Sequence, residues 1–498
     1  MADKTDSGEQ ASAHAASTDG TDVAATPAST SSLYVVDDHQ RHRRESMTQV
    51  PSSSRGVVFY RDLYTKDRID FRALARDDPD FAAVYYPSRQ LDFRDPAAIR
   101  QLTKTLLRRD FGLTVELPSD RLCPPVPNRL AYVVWVTELV SSTSAGASSV
   151  VGLDIGTGAS CIYPFLACTV NPSWRFVATD IDTANLKSAR ANVERNSLGE
   201  SIRVVTRSPD DPLVVDDEAI TFTMCNPPFY ASADEMTASA AAKRQPAHSA
   251  CTGAPVEMVY PPKEGDDGGE VAFVCRILEE SITLRDRVCW YTAMLGKLSS
   301  LHALVAQLRA RSIDNYAVAA FVHGTKTRRW ALGWSFGATR PTMAAARGGP
   351  DTTGLESYRH LLPPTTELDV FSLRRKAGVS LGPVVDKVMS SLPLSWEWED
   401  KALQGVGRTR ENVWGRAWRR KKQREQRGEM VEAPDKPDKD GDSVFGFVVT
   451  IRIGVTETVV HCRWLEGHDE IIYQSFCGFL KTKLKEAAAS AKEEKNET

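Results

Sequence analysis

The 498-residue sequence has no run approaching the roughly 18 uninterrupted apolar residues of a membrane-spanning helix. Nothing at its amino terminus resembles a signal peptide. A soluble protein is expected. Its nine cysteines include no Cys-x-x-Cys pair and no histidine at zinc spacing, so neither a zinc module nor a disulfide scaffold is expected. The simplest reading is reduced, mostly buried thiols in a cytosolic or nuclear protein without a bound metal. An excess of one charge is lacking too. The net charge is −3, so any affinity for nucleic acid has to come from local patches.

The chain does have 42% apolar residues, enough for real cores, and a length that suits two or three domains. Residues 1–40 have little to bury and are expected to form a disordered tail. In the extension 41–90, basic residues outnumber acids up to residue 76, and Phe59, Tyr60, Tyr64 and Phe71 are interleaved. Such a segment either follows a phosphate backbone or forms a helical extension with a solvated face.

Residues 91–340 carry the chemistry. The β-branched run Ile220 to Met224 reads as a buried strand and leads into Cys225-Asn226-Pro227-Pro228-Phe229-Tyr230. Two prolines cannot continue a ladder, so the chain leaves the sheet in a stiff turn. A turn of this kind suits alkylation of a planar exocyclic amine. With the Asn226 side-chain oxygen and the Pro227 carbonyl accepting from an adenine amino group, the nitrogen becomes pyramidal and aims its lone pair at a methyl donor. Phe229 would stack on the base. Taken alone, the motif also fits a plain proline turn.

Upstream, the strand Val150 to Ile155 runs into Asp154-Ile155-Gly156-Thr157-Gly158 and then a helix, the cofactor turn of a doubly wound sheet, with N–H groups expected to be free at the helix start. The turn fits NAD as readily as S-adenosylmethionine. The third glycine of a dinucleotide fingerprint is absent, because Cys161 stands there, and that argues against a pyrophosphate site. The next strand, Arg175 to Thr179, ends in Asp180, placed to accept ribose hydroxyls. An acidic loop from Ser208 to Asp211, with Asp210 as the candidate contact, follows strand three beside the adenine position. A proline-rich crossing, 121–129, delivers Arg129, either as a structural residue or to face a cofactor carboxylate. The candidate cofactor-binding residues are Arg129, Asp154, Gly156, Thr157, Gly158, Asp180, Asp210 and Asn226. The candidate catalytic residues are Asn226, Pro227, Pro228 and Phe229.

The fold expected is α/β, a seven-stranded Rossmann-like class I methyltransferase sheet, followed by a smaller α+β carboxyl-terminal module. Residues 231–269 are expected as a mobile active-site loop whose Lys243 and Arg244 find phosphates, the alternative being a bare linker. Lys326, Arg328 and Arg329 sit on the closing hairpin as either phosphate contacts or an ordinary basic turn. A linker is expected at 341–364. Beyond it, in 365–486, the basic stretch with Arg419, Arg420, Lys421 and Lys422 between tryptophans suits RNA binding, nuclear import or an exposed helix. An internal linker is expected at 430–443 and a tail at 487–498.

Asp154 to Pro164, Cys225 to Phe229, Leu91 to Leu107 with Asp110-Phe111-Gly112-Leu113, and Trp290-Tyr291 to Gly296-Lys297 together resemble the methyltransferase-like 16 family, in a fungal-type form. The resemblance covers about residues 59–337. It implies an S-adenosylmethionine-dependent RNA adenine-N6 methyltransferase in the nucleus, or in nucleus and cytoplasm, acting on structured RNA, with U6 small nuclear RNA as the main expected target and S-adenosylmethionine synthetase transcripts as a further one. It further implies that Arg129, Gly156 and Asp180 contact the donor and that Asn226 to Phe229 form the acceptor site. Asp180 replaces the glutamate of animal members, and the loop 206–211 lacks their pocket-gating lysine. The carboxyl-terminal module resembles the family's kinase-associated-1-like RNA-binding region. The alternatives are a protein glutamine-N5 methyltransferase, which uses the same turn on a side-chain amide, and an inactive RNA-binding scaffold.

Overall fold

We describe the fold from a computed structural model, over residues 59–64, 69–87, 89–144, 149–215, 219–242, 253–323, 327–348, 356–374, 380–427 and 445–496. The expected tail 1–40 and internal linker 430–443 lie outside the described residues, as do Lys243, Arg244 and Lys326.

Four strands form a parallel sheet: β1 (Val151–Ile155), β2 (Arg175–Asp180), β3 (Ile202–Thr206) and β4 (Phe222–Cys225), in the order β3-β2-β1-β4. Every residue of β1 and of β4 is buried, as a parallel sheet covered on both faces requires. On one face the helices Val126–Thr143 and Ile162–Val170 bring Trp135, Leu139, Phe165 and Leu166 against Phe176 and Phe222. On the other, Gly269–Leu284 and Leu298–Ala310 bring Ile277, Leu278, Leu301 and Leu304 against Leu153, Ile155 and Val177.

Three further strands, β5 (Tyr291–Leu295), β6 (Tyr316–His323) and β7 (Thr327–Trp334), pair antiparallel in the order β5-β7-β6. They meet the parallel sheet at a single bridge, Phe222 with Trp290, so the seven strands form two ladders and not one continuous ladder. Side chains cause the interruption. The Thr223 hydroxyl accepts the Thr292 N–H at 3.0 Å, and the Thr292 hydroxyl donates to the Thr223 carbonyl at 2.6 Å, taking the places of main-chain partners. β4 and β5 thus stay joined, through side chains in place of a regular ladder, just before Asn226.

Residues 231–269, expected as one mobile loop, contain helices at Ala233–Ala242 and Pro255–Met258. The expected linker 341–364 holds the short helix Met343–Arg347, whose Ala345 and Ala346 are buried. Alanine is apolar and a strong helix former, so this stretch packs despite the glycines that follow it. The Trp135 indole donates to the Ala345 carbonyl at 2.8 Å.

The carboxyl-terminal module is a five-stranded antiparallel sheet in the order β8-β12-β11-β10-β9: β8 (Glu367–Arg374), β9 (Ser395–Glu399), β10 (Gln404–Thr409), β11 (Phe445–Ile453) and β12 (Glu457–Glu466). The helices Leu381–Ser390 and Glu470–Asn496 pack on it through Val385, Met389, Tyr473, Phe476 and Leu480. The last helix continues through most of the expected tail, because its Ala, Glu and Lys residues favour helix. Arg340 joins the module to the catalytic unit. Its N–H donates to the Leu465 carbonyl at 2.7 Å, and its guanidinium lies 4.1 Å over the Trp464 ring and 2.6 Å from Asp314.

Candidate active site

The glycine turn is built on a strained path. Gly156 and Gly158 have φ of 75° and 63°, a region that side chains disfavour, and Cys161 adopts φ 53° at the following helix start. The N–H groups of Gly156 and Thr157 donate to the Thr179 carbonyl at 3.0 and 2.8 Å, and that of Gly158 donates to Asp180 at 2.8 Å. These groups are thus not free, contrary to the sequence expectation. They fasten the turn to the end of β2, which lies alongside β1 in the parallel register. Asp180 also accepts the Asp182 N–H at 2.9 Å. Burial raises the Asp180 carboxyl and the backbone N–H donors oppose the rise.

Asp154 lies fully buried beneath the turn, and neither carboxylate oxygen has a partner at hydrogen-bonding geometry. Burial pushes this group up to about 7; the nearby Thr157 hydroxyl moderates the rise and Asp180 adds to it.

The proline crossing delivers Arg129 to the first turn of Val126–Thr143, where it is buried. One terminal nitrogen donates to the Tyr163 hydroxyl at 2.6 Å and to the Asn226 Oδ1 at 2.8 Å. Arg129 thus bridges the cofactor side and the acceptor turn, while its Nε has no partner. Behind the turn, the Tyr132 hydroxyl lies 2.6 Å from that of Thr292 and accepts the Cys225 N–H at 3.4 Å.

Phe229 packs over Gly296, where a Cβ would come within 2.8 Å of its ring. The Arg329 guanidinium lies 5.9 Å from the same ring. Buried Glu270 accepts the N–H groups of Gly296 and Lys297 at 2.7 and 3.0 Å, fixing the backbone under Phe229. Tyr230 pairs with the strap that follows, donating to the Met258 carbonyl at 3.0 Å and accepting from the Tyr260 N–H at 2.9 Å.

These pieces enclose a cavity of about 390 Å³. It brings together Arg129, Gly156, Thr157, Gly158, Asp180, Asn226 and Pro228. Four expected site residues do not line it. Asp154 lies below, Pro227 and Phe229 lie beyond its acceptor end, and Asp210 is exposed while its neighbour Asp211 faces inward. Arg328 is exposed on β7. In the module, Arg419, Arg420 and Lys422 are exposed on the helix Arg416–Gln426, and Lys421 lies 3.9 Å from Glu411.

The cavity also has walls not expected from the sequence: Glu257, Tyr163, Arg207, Phe273 and Arg276. Glu257 accepts the N–H groups of Leu122 and Ala254, both at 2.9 Å, and so ties the strap to the proline crossing. Pro255 followed by Glu257 is a readable helix start, but nothing local shows that it reaches Leu122. Among the described residues no cluster suits a metal ion, and no helix is long and apolar enough to cross a membrane.

A family model described as RNA methyltransferase matches residues 55–338. The U6 small nuclear RNA (adenine-(43)-N(6))-methyltransferase of Schizosaccharomyces pombe is 36% identical over 402 residues, spanning 80% of this chain and 96% of that protein. The RNA N(6)-adenosine-methyltransferase METTL16 of Homo sapiens is 37% identical over 358 residues, spanning 69% of this chain and 61% of that protein. A crystal structure of the human METTL16 amino-terminal domain with SAH is 37% identical, covering 55% of this chain and 96% of that chain at a TM-score of 0.45. Matched over more than half its length by the family model, and over nearly all of the fission-yeast protein, the chain belongs to this family of RNA adenine-N6 methyltransferases.

Proposed function

We propose that the chain transfers a methyl group from S-adenosylmethionine to N6 of an adenosine in a structured RNA, with U6 small nuclear RNA as the target and the nucleus as the compartment. The observation that carries this reading is the convergence of Asn226 and Pro228 with the glycine turn and Asp180 on one cavity, with Arg129 touching both ends.

The residues present suit the donor. Arg129 Nε and Thr157 Oγ1 are buried without hydrogen-bond partners in the cavity wall and can donate to a carboxylate and to ribose oxygens, while Arg207 Nε, in the same wall, is ion-paired with Asp211 at 3.6 Å. Asp180 takes the ribose side, and the loop 208–213 flanks the nucleobase. Bound there, S-adenosylmethionine supplies an electrophilic methyl group. Arg129 fixes the Asn226 amide with its oxygen held on one side. That oxygen keeps a second lone pair for an amino N–H. The stiff turn holds its acceptors in place before the reaction, so they strengthen as positive charge develops on nitrogen. A base in a duplex cannot reach this turn, so the adenosine has to be bulged or flipped out. Arg328 and Arg329 on the hairpin beside Phe229, and Arg419, Arg420, Lys421 and Lys422 on the basic helix, supply phosphate contacts.

Asn226→Ala tests the assignment in the full chain, by labelled-methyl transfer to a U6 hairpin and calorimetric titration of the donor. Turnover should fall by about 10²–10³-fold or more, the scale on which removing one preorganised transition-state contact is felt. Donor affinity should stay near parental. Methylation of the hairpin at the parental rate would refute the reading.

A further inference from the structure

Residues 207–214 have neither helix nor strand, and Arg207 to Pro209 with Asp211 to Leu213 line the side of the cavity assigned above to the donor's nucleobase. An eight-residue stretch of that kind belongs by default to the least stable parts of a domain. Two side chains, one turn apart on Gly269–Leu284, remove this freedom. Arg276 donates from one terminal nitrogen to the Pro209 carbonyl at 3.0 Å and from the other to the Asp211 carbonyl. Glu280 accepts the Leu213 N–H on one oxygen at 3.0 Å and the Val214 N–H on the other at 2.8 Å. The guanidinium and carboxylate lie 3.3 Å apart, so each steadies the other's rotamer. All four contacts are to main chain and fix the loop's path whatever its side chains. The helix itself is held by other residues, Val274, Ile277 and Leu278, which are buried in the core. Arg276 and Glu280 therefore act outward, on the loop.

We propose that Arg276 and Glu280 are positioning residues that keep loop 207–214 as a preformed wall, so that S-adenosylmethionine binds without first ordering it. The proposal rests on the assignment of the cavity to that donor. Its test combines titration of the full chain with S-adenosylmethionine, hydrogen exchange at the loop amides, and steady-state kinetics. Arg276→Ala should raise the donor Kd about tenfold, as when only about one molecule in ten holds the wall in place. Exchange at 207–214 should quicken, and the donor KM should rise while kcat at saturating donor and the KM for RNA stay near parental. Arg276→Lys should recover only part, because an ammonium cannot fork onto two carbonyls. Glu280→Gln should resemble the alanine variant, since its amide nitrogen faces an N–H that needs an acceptor. Variants with parental donor affinity and loop protection refute the brace, and so does a loss of protection spread over the whole sheet. A parent chain that binds no donor refutes the cavity assignment, and the brace with it.

Discussion

Asp154 makes the ground beneath the glycine turn sensitive to pH. Its carboxyl is held at about 7 in the folded chain, against about 3.9 when unfolded. Between these values the folded chain holds a proton that the unfolded chain has released. Stability therefore declines as pH rises from about 4 to about 7 and is lowest above that window. Asp154→Asn should flatten that part of a melting-temperature profile, and an unchanged slope would show that the group titrates normally. Donor cations bound above it favour the ionised form, so donor affinity should rise with pH through the same range in the parent and not in the variant. Tyr132 acts at one remove. Tyr132→Phe takes an acceptor from the Cys225 N–H and a partner from Thr292, at a cost of about 1–3 kcal/mol for a buried group left unsatisfied. A lower kcat with near-parental donor affinity is the expected signature, and an unchanged kcat would leave Tyr132 without a role in holding the turn.

At the level of elements, the parallel half of the sheet was legible in the chain and part of the carboxyl-terminal sheet was not. β1, β2 and β4 are short, apolar and end in Gly, Asp or Asn-Pro, so sequence alone places them to within one or two residues, and with them the residues that emerge there. β9, Ser395–Glu399, carries the polar and apolar alternation of a half-buried strand over only five residues, and β10, Gln404–Thr409, contains two glycines, which weaken a strand on propensity. The glycines are there for rings. A Cβ on Gly405 would come within 2.3 Å of Trp396, and one on Gly407 within 2.2 Å of Phe447. Gly407→Ala should cost about 1–3 kcal/mol by overpacking, read as a lower midpoint in a denaturant titration. A midpoint equal to the parent's would mean that the sheet flexes there. Of the site, the glycine turn, Asp180 and Asn226 were readable because each follows a strand. Glu257, Arg276 and Glu280 were not, since they act on main chain far away in sequence.

In the whole molecule, the module and the catalytic unit meet through buried groups. His461 contributes on the module side. Glu367, which also accepts the Met343 N–H at 3.0 Å, and then Asp369 raise its imidazole above the usual value. This stabilisation is complete below about pH 6.5, the unfolded value, and is lost as pH rises through the raised one. Arg340→Ala should do more. It removes the contacts to Trp464, Asp314 and Gly467 together, leaving the module held by less. Calorimetry should then resolve two unfolding transitions, and one cooperative transition would show that the remaining interface suffices. Arg340 is the rivet of a caliper whose two arms are the module that carries the basic helix and the unit that carries the cleft. On the proposed reading, in which an RNA contacts both, three-dimensional outline would select it as well as the letters around the modified base.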